Sequence, residues 1–320
     1  MTSYIAKPDD YHYKNSFSSI FMKDSGMKSS NTHDPISAPG AYFKSEYISV
    51  SDDVKLKVLQ WQPEIKESEE PEKSVESVIF VPGWISHVSS WAELLPSMTQ
   101  KRPVFYIETR EKISANIKKE KIGINDFTIP RIALDIINVC KSLPIDLEQS
   151  IVMGSSFGAT ALLEALKNNN LNVRCAFLVG PNSEFAAHPL MQKLLLLPDF
   201  SYHFLKYFIL WYLRTFRVDA KKEPEQMRRY KITVKTAHPR RIKMSVKAAM
   251  KYKLWPDLET VQIPTALAYA PTDTLHSKDN IKKIAQILPR GQIIACPTNK
   301  YMHSADLLKD IEGFIKNSKI

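Results

Sequence analysis

Glycine is scarce in this chain, nine residues in 320, so any motif that spends two of them within five positions stands out from the background. Cysteine is scarcer. Cys140, Cys175 and Cys296 are odd in number, far apart and set in apolar surroundings, which argues against a disulfide framework or a zinc site and for buried free thiols in a reducing compartment. The first forty residues hold no uninterrupted apolar stretch of signal-peptide length, so the cytoplasm is the expected location. No membrane span is expected either: the apolar run from Phe200 to Phe216 contains Lys206 and Arg214 and follows Pro198-Asp199. Missing too are a phosphate-cradling glycine loop, a dinucleotide fingerprint and a paired metal-binding histidine motif. Oxidoreductase, kinase and metallohydrolase chemistry are therefore disfavoured, and neither cofactor nor metal is expected. The net charge of +10 invites a nucleic-acid reading, but no nucleic-acid-binding signature accompanies the basic pairs Arg228-Arg229 and Arg240-Arg241, and none is expected as a partner.

What the chain does have is a repeated strand and helix pattern. Residues 1–40 lack sustained periodicity and read as a mobile arm. Tyr42 to Val50 and Val54 to Trp61 alternate about Ser51-Asp52-Asp53 as a β-hairpin, and the acidic run from Glu64 to Glu76 reads as a solvated connection. Short apolar runs follow at 78–81, 104–107, 151–153, 176–179, 266–269 and 292–295. Such runs, spaced by helical patterns, suit strands buried on both faces of a parallel sheet. The expected fold is α/β, an eight-stranded, mostly parallel sheet with helices on both faces.

The two closely spaced glycines fall in Gly154-Ser155-Ser156-Phe157-Gly158, between the apolar run ending at Met153 and the helical stretch from Ala159 to Lys167. Strand, sharp turn and helix are the context of a nucleophile elbow, which lifts the middle residue's hydroxyl above the sheet; Ser156 is the candidate nucleophile. A serine N-cap after a strand is the plainer alternative.

With these motifs the chain resembles the α/β-hydrolase family over residues 42–184 and 258–317. Pro82-Gly83-Trp84 stands where the family usually has His-Gly, and Glu108-Thr109-Arg110-Glu111 where many relatives have Asp-x-Arg-Gly. The resemblance implies an oxyanion hole of backbone amides, here Trp84 and Phe157, to which proline at 82 is no obstacle. It also implies the order nucleophile, acid, base. Asp273, just after the strand ending at Ala270, matches the acid, with Asp279 as fallback. His303, after the last strand, matches the base. His276, three residues beyond Asp273, is the less suited to reach Ser156. Glu108 and Arg110 are expected in an internal ion pair or loop tether. Together these imply a serine hydrolase that cleaves an ester or thioester of an apolar acyl substrate through an acyl-enzyme, without a cofactor. Acyl transfer to another acceptor and a non-catalytic binding module on the same fold are the alternatives.

Substrate information is expected in residues 185–257, a helical cap inserted after the sixth strand, between core segments 41–184 and 258–320. This insert holds sixteen Lys and Arg against five Asp and Glu, a difference of +11, so the rest of the chain sums to about −1. Tyr207, Phe208 and Trp211 are candidates to wall an acyl pocket; alternatively the apolar face and its basic flanks rest on an anionic membrane, or the stripe merely packs on the core.

Overall fold

The chain enters the sheet as the expected hairpin, with β1 (Ala41–Ser51) antiparallel to β2 (Val54–Pro63). Their tight turn is braced by the Ser51 hydroxyl donating to the Asp53 carboxylate at 3.0 Å. The computed structural model describes residues 38–318 except 39, 65–75, 119, 121, 186–188, 218–223 and 274. The expected arm therefore lies outside the described residues up to 37, as does nearly all of the acidic connection. Its last residue, Glu76, is tied to Arg102 and Arg174.

Five apolar runs become strands without an exposed residue: β3 (Val78–Val81), β4 (Val104–Ile107), then, after the two-residue β5 (Asn116–Ile117), β6 (Ile151–Ser155), β7 (Cys175–Val179) and β8 (Thr265–Tyr269). β9 (Gly291–Ala295) closes the sheet at its far edge. The order is β1-β2-β4-β3-β6-β7-β8-β9, with β5 added beside β2, and every pair from β4 to β9 is parallel. The small β5 raises the strand count from the expected eight to nine and places the lid after the seventh strand rather than the sixth. β9 also departs from expectation: with only β8 beside it, Gln292 and Ile293 are exposed rather than buried on both faces.

Alternation along the strands sends side chains to two cores. Ile79, Phe105, Val152 and Leu178 point one way, against helices α2 and α3; Phe80, Tyr106, Met153 and Phe177 point the other, against α1 and α9. Here α1 is Leu94–Thr99, α2 Ile129–Ser142 and α3 Phe157–Leu166. Among the described residues four helices, α4 (Pro189–Leu194), α5 (Tyr202–Tyr212), α6 (Pro224–Thr236) and α7 (Pro239–Ala249), make up the insertion between β7 and β8, here called the lid for its position. The chain finishes with α8 (Lys278–Ile287) and α9 (Leu307–Asn317). Among the described residues no helix is long and apolar enough to cross a membrane. Cys140, Cys175 and Cys296 are buried and unpaired, and burial pushes their thiols up to about 12, 11 and 12.

The strand order reverses at β3, whose successor in sequence, β4, lies on one side while β6 lies on the other. Open α/β sheets place ligands outside the carboxyl ends of strands at such a switch. The loop after β4 is held there by a buried fork: Arg110 Nε and Nη2 donate to the two Asp135 carboxylate oxygens at 2.5 and 2.6 Å, and Nη1 to the Asp126 carbonyl at 3.1 Å. Arg110 is thus the expected internal ion pair, its partner being in α2.

Removing one member of a buried pair strands the other's charge, so Asp135→Ala is expected to lower unfolding free energy by about 3–5 kcal/mol. Urea titration checks this, and a loss below about 1 kcal/mol would show that the pair is dispensable.

Candidate active site

Ser156 follows the last residue of β6 and carries φ +48° and ψ −117°, a backbone state that costs an L residue about 1–3 kcal/mol. Neighbours hold it there. Its N–H donates to the Val179 carbonyl at 2.8 Å, and its carbonyl accepts from Thr160 N at 3.0 Å, opening α3. The flanking glycines let the helix lie this close to the sheet: a Cβ on Gly158 would collide with the Val81 and Pro82 carbonyl oxygens, and one on Gly154 would lie 2.7 Å from Leu162 Cδ1.

Two side chains reach the Ser156 hydroxyl. His276 Nε2 is 2.9 Å from Oγ, and Asn182 Nδ2 donates to the same oxygen at 3.2 Å. His276 Nδ1 in turn lies 2.6 Å from Asp273 Oδ2, while Asp273 Oδ1 accepts the backbone N–H groups of Leu275 (2.8 Å) and His276 (3.2 Å). With the Nδ1 proton engaged by the carboxylate, Nε2 is the nitrogen that accepts from serine. Burial pushes the Asp273 carboxyl up, but the His276 hydrogen bond and charge, together with the two amides, outweigh it and hold the group below its ordinary value.

Ser156 and Asp273 are brought together as expected; the histidine is not the expected one. His303 also lines the pocket, but its ring packs on Trp91, with centroids 4.5 Å apart, and its Nδ1 makes no hydrogen bond. Burial, followed by the charge of Arg229, pushes its pKa down to about 3, leaving a neutral imidazole at physiological pH. The correction has a local cause. Asp273 caps a tight turn through its own carboxylate, and that turn lifts His276 over Gly180. At φ +57°, Gly180 leaves open the space where the ring sits; a Cβ there would lie 3.0 Å from His276 Cγ and Nδ1. Asp279, the fallback acid, lies in the first turn of α8.

Trp84 lines the same pocket, Phe157 opens α3, and their rings stack with centroids 6.3 Å apart. The loop carrying Trp84 is fastened from below. Lys112 Nζ donates to the carbonyls of Gly83 (3.3 Å) and Ser86 (2.6 Å), and the N–H of Ile85, a β-branched residue at φ +47°, donates to Glu111 Oε1 at 3.4 Å. Burial lowers the Lys112 pKa, with Glu111 and Glu108 opposing. Glu111, Lys112 and Asn182 carried no sequence signal of these contacts, although Glu111 belongs to the altered loop motif. Asn182 is itself set by Thr160, whose hydroxyl accepts its N–H and donates to its carbonyl, both at 2.9 Å.

The pocket over Ser156 has a volume of about 420 Å³ and takes its lid wall from Gln226, Arg229, Tyr230 and Thr233 of α6. A second, apolar chamber of about 270 Å³ adjoins it, walled by Leu194, Leu205, Ile209, Ile242 and Val246; Trp84, Ile85 and Val234 line both. Tyr207, Phe208 and Trp211, expected to wall an acyl pocket, line neither cavity. They lie on the outer side of α5 and are exposed, while Tyr202, Leu205 and Ile209 face inward. A hydrogen bond from Trp84 Nε1 to Ser245 Oγ at 3.0 Å ties the loop to α7.

The unfolded chain takes up a proton on residue 303 near pH 6.5, whereas the folded protein does so only near pH 3. His303 therefore leaves stability intact above pH 6.5 and erodes it as pH falls through that window, by up to about 1.4 kcal/mol per unit. His303→Gln is expected to flatten this acid limb in thermal melts taken from pH 7 to 4; an unchanged slope would refute the assignment.

No protein-family model matches the chain, and no curated protein matches it. Solved structures do. The enol-lactonase from Burkholderia xenovorans LB400 is 14% identical with a TM-score of 0.66, covering 85% of this chain and 100% of its own. The thermophilic esterase from Thermogutta terrifontis is 12% identical (TM-score 0.63; 83% and 95%), and the bromoperoxidase from Bacillus anthracis 12% identical (0.65; 85% and 100%). With its sheet order, its switch-point serine and these structural likenesses, the chain has the α/β-hydrolase fold.

Proposed function

We propose that this protein is a serine hydrolase that cleaves an ester or thioester of an apolar acyl group through an acyl-enzyme on Ser156. The observation that carries the proposal is the hydrogen-bonded series Asp273, His276, Ser156 at the floor of a pocket. Ser156 Oγ attacks the carbonyl carbon as its proton passes to His276 Nε2, and Asp273 steadies the imidazolium. The Trp84 and Phe157 amides receive the oxyanion. The leaving oxygen or sulfur departs with the proton from His276. Water then gives a proton to the same nitrogen, adds to the acyl carbon, and the acid is released as Ser156 recovers its hydrogen. Asn182 orients the resting hydroxyl. Enol-lactonase and esterase among the structural neighbours are names consistent with ester cleavage.

The apolar chamber supports the acyl assignment. Its walls are hydrocarbon from Leu194, Leu205, Ile209, Ile242 and Val246, and it adjoins the pocket over Ser156, so an apolar chain on the acyl carbon has a place to enter. Each methylene buried there is worth about 0.8 kcal/mol, or about fourfold in kcat/KM.

A fluorophosphonate probe is expected to label Ser156, with the adduct lost in Ser156→Ala. His276→Ala should lower kcat roughly 10⁴- to 10⁶-fold, while His303→Ala should leave most of the activity. The reverse ranking of the two histidines, measured with p-nitrophenyl esters, would overturn the assigned base. Ile242→Trp, which fills the chamber, should move the preferred chain to shorter lengths, and an unchanged chain-length profile would remove the chamber from the acyl site.

A further inference from the structure

Helix α5 is apolar on two sides. Its inner residues wall the chamber. Its outer stripe, approached by Leu196 and Phe200 and continued by Phe204, Tyr207, Trp211 and Phe216, is left facing water, with Leu196 76%, Phe200 69% and Phe204 78% exposed. The spacing 200, 204, 207, 211 keeps these side chains on one face of a helix. Soluble domains rarely leave so many large apolar groups together without a partner.

The charge around the stripe selects that partner. Residues 189–217 hold four Lys and Arg against one aspartate, and that aspartate, Asp199, is paired with Lys243 at 3.4 Å. The lid as a whole carries the excess of +11 while the rest of the chain is near neutral. A second copy packed on this face would set one basic lid against another. An anionic surface would not. Eleven helical residues are too few to cross a bilayer, whereas a helix with an aromatic stripe and basic flanks suits the plane of the headgroups. We infer that the outer face of α5 docks on anionic lipid membrane, with the stripe in the interface and Lys206, over the Tyr207 ring, and the exposed Arg214 at the headgroups.

The test uses full-length Ser156→Ala protein, so that hydrolysis plays no part, in flotation with phosphatidylcholine vesicles with and without phosphatidylglycerol. Binding is expected only with phosphatidylglycerol and should weaken as salt rises. Phe204→Asp with Trp211→Asp should lower vesicle partitioning by about tenfold or more, while thermal stability and, in the Ser156 background, turnover of short soluble esters stay unchanged. Absence of binding at low salt, or binding that the two substitutions do not weaken, would overturn the inference. So would a dimer that the same substitutions dissolve, which would make a second copy the occupant.

Discussion

The site depends on one stretch of backbone pairing. Parallel β3 and β6 run side by side with Val81 opposite Gly154, and both strands end within a residue or two of that point. One continues into Gly83 and Trp84, the other into Ser156 and α3. The helix approaches so closely that a single methyl group at residue 158 would collide with the carbonyls at the end of β3. Because the sheet's interior is buried on both faces, this junction has little freedom to relax, and the strained φ of Ser156 is held by structure that the cores stabilise independently.

Around that junction the supports come from distant parts of the chain. Lys112 and Glu111 hold the Trp84 loop from the segment after β4, Arg110 anchors that segment to α2, and Thr160 positions Asn182. Each is a buried polar group with a specific partner, the arrangement in which a missing partner costs most. The lid joins this network through Ser245 on Trp84, and through Arg241, which donates to the Lys112 and Ala115 carbonyls. One loop thus borders the serine, the apolar chamber and the lid.

The two histidines show how environment assigns a role. Both line one pocket. His276 has a carboxylate on one nitrogen and a hydroxyl on the other, whereas His303 lies against an indole, near the charge of Arg229, and remains neutral. A proton acceptor needs contact with the nucleophile and a group that stabilises the resulting cation; only His276 has both.

From sequence alone the fold was legible because its signals are local: apolar runs of strand length, turn residues at the hairpin, and two scarce glycines about a serine. Ser156 and Asp273 were legible for the same reason, each lying just after a strand. The proposed base was not, because the choice between His276 and His303 depends on the turn capped by Asp273 and on the room that Gly180 leaves for the ring, about a hundred residues away in the chain. Nor was the aromatic stripe. Helical spacing groups Phe204, Tyr207 and Trp211 on one face, but which face meets the chamber and which meets water is decided by how α5 packs against its neighbours. Local patterning determined the elements and the elbow; long-range packing decided which side chains meet, since contact across the fold is not written in any single stretch of residues.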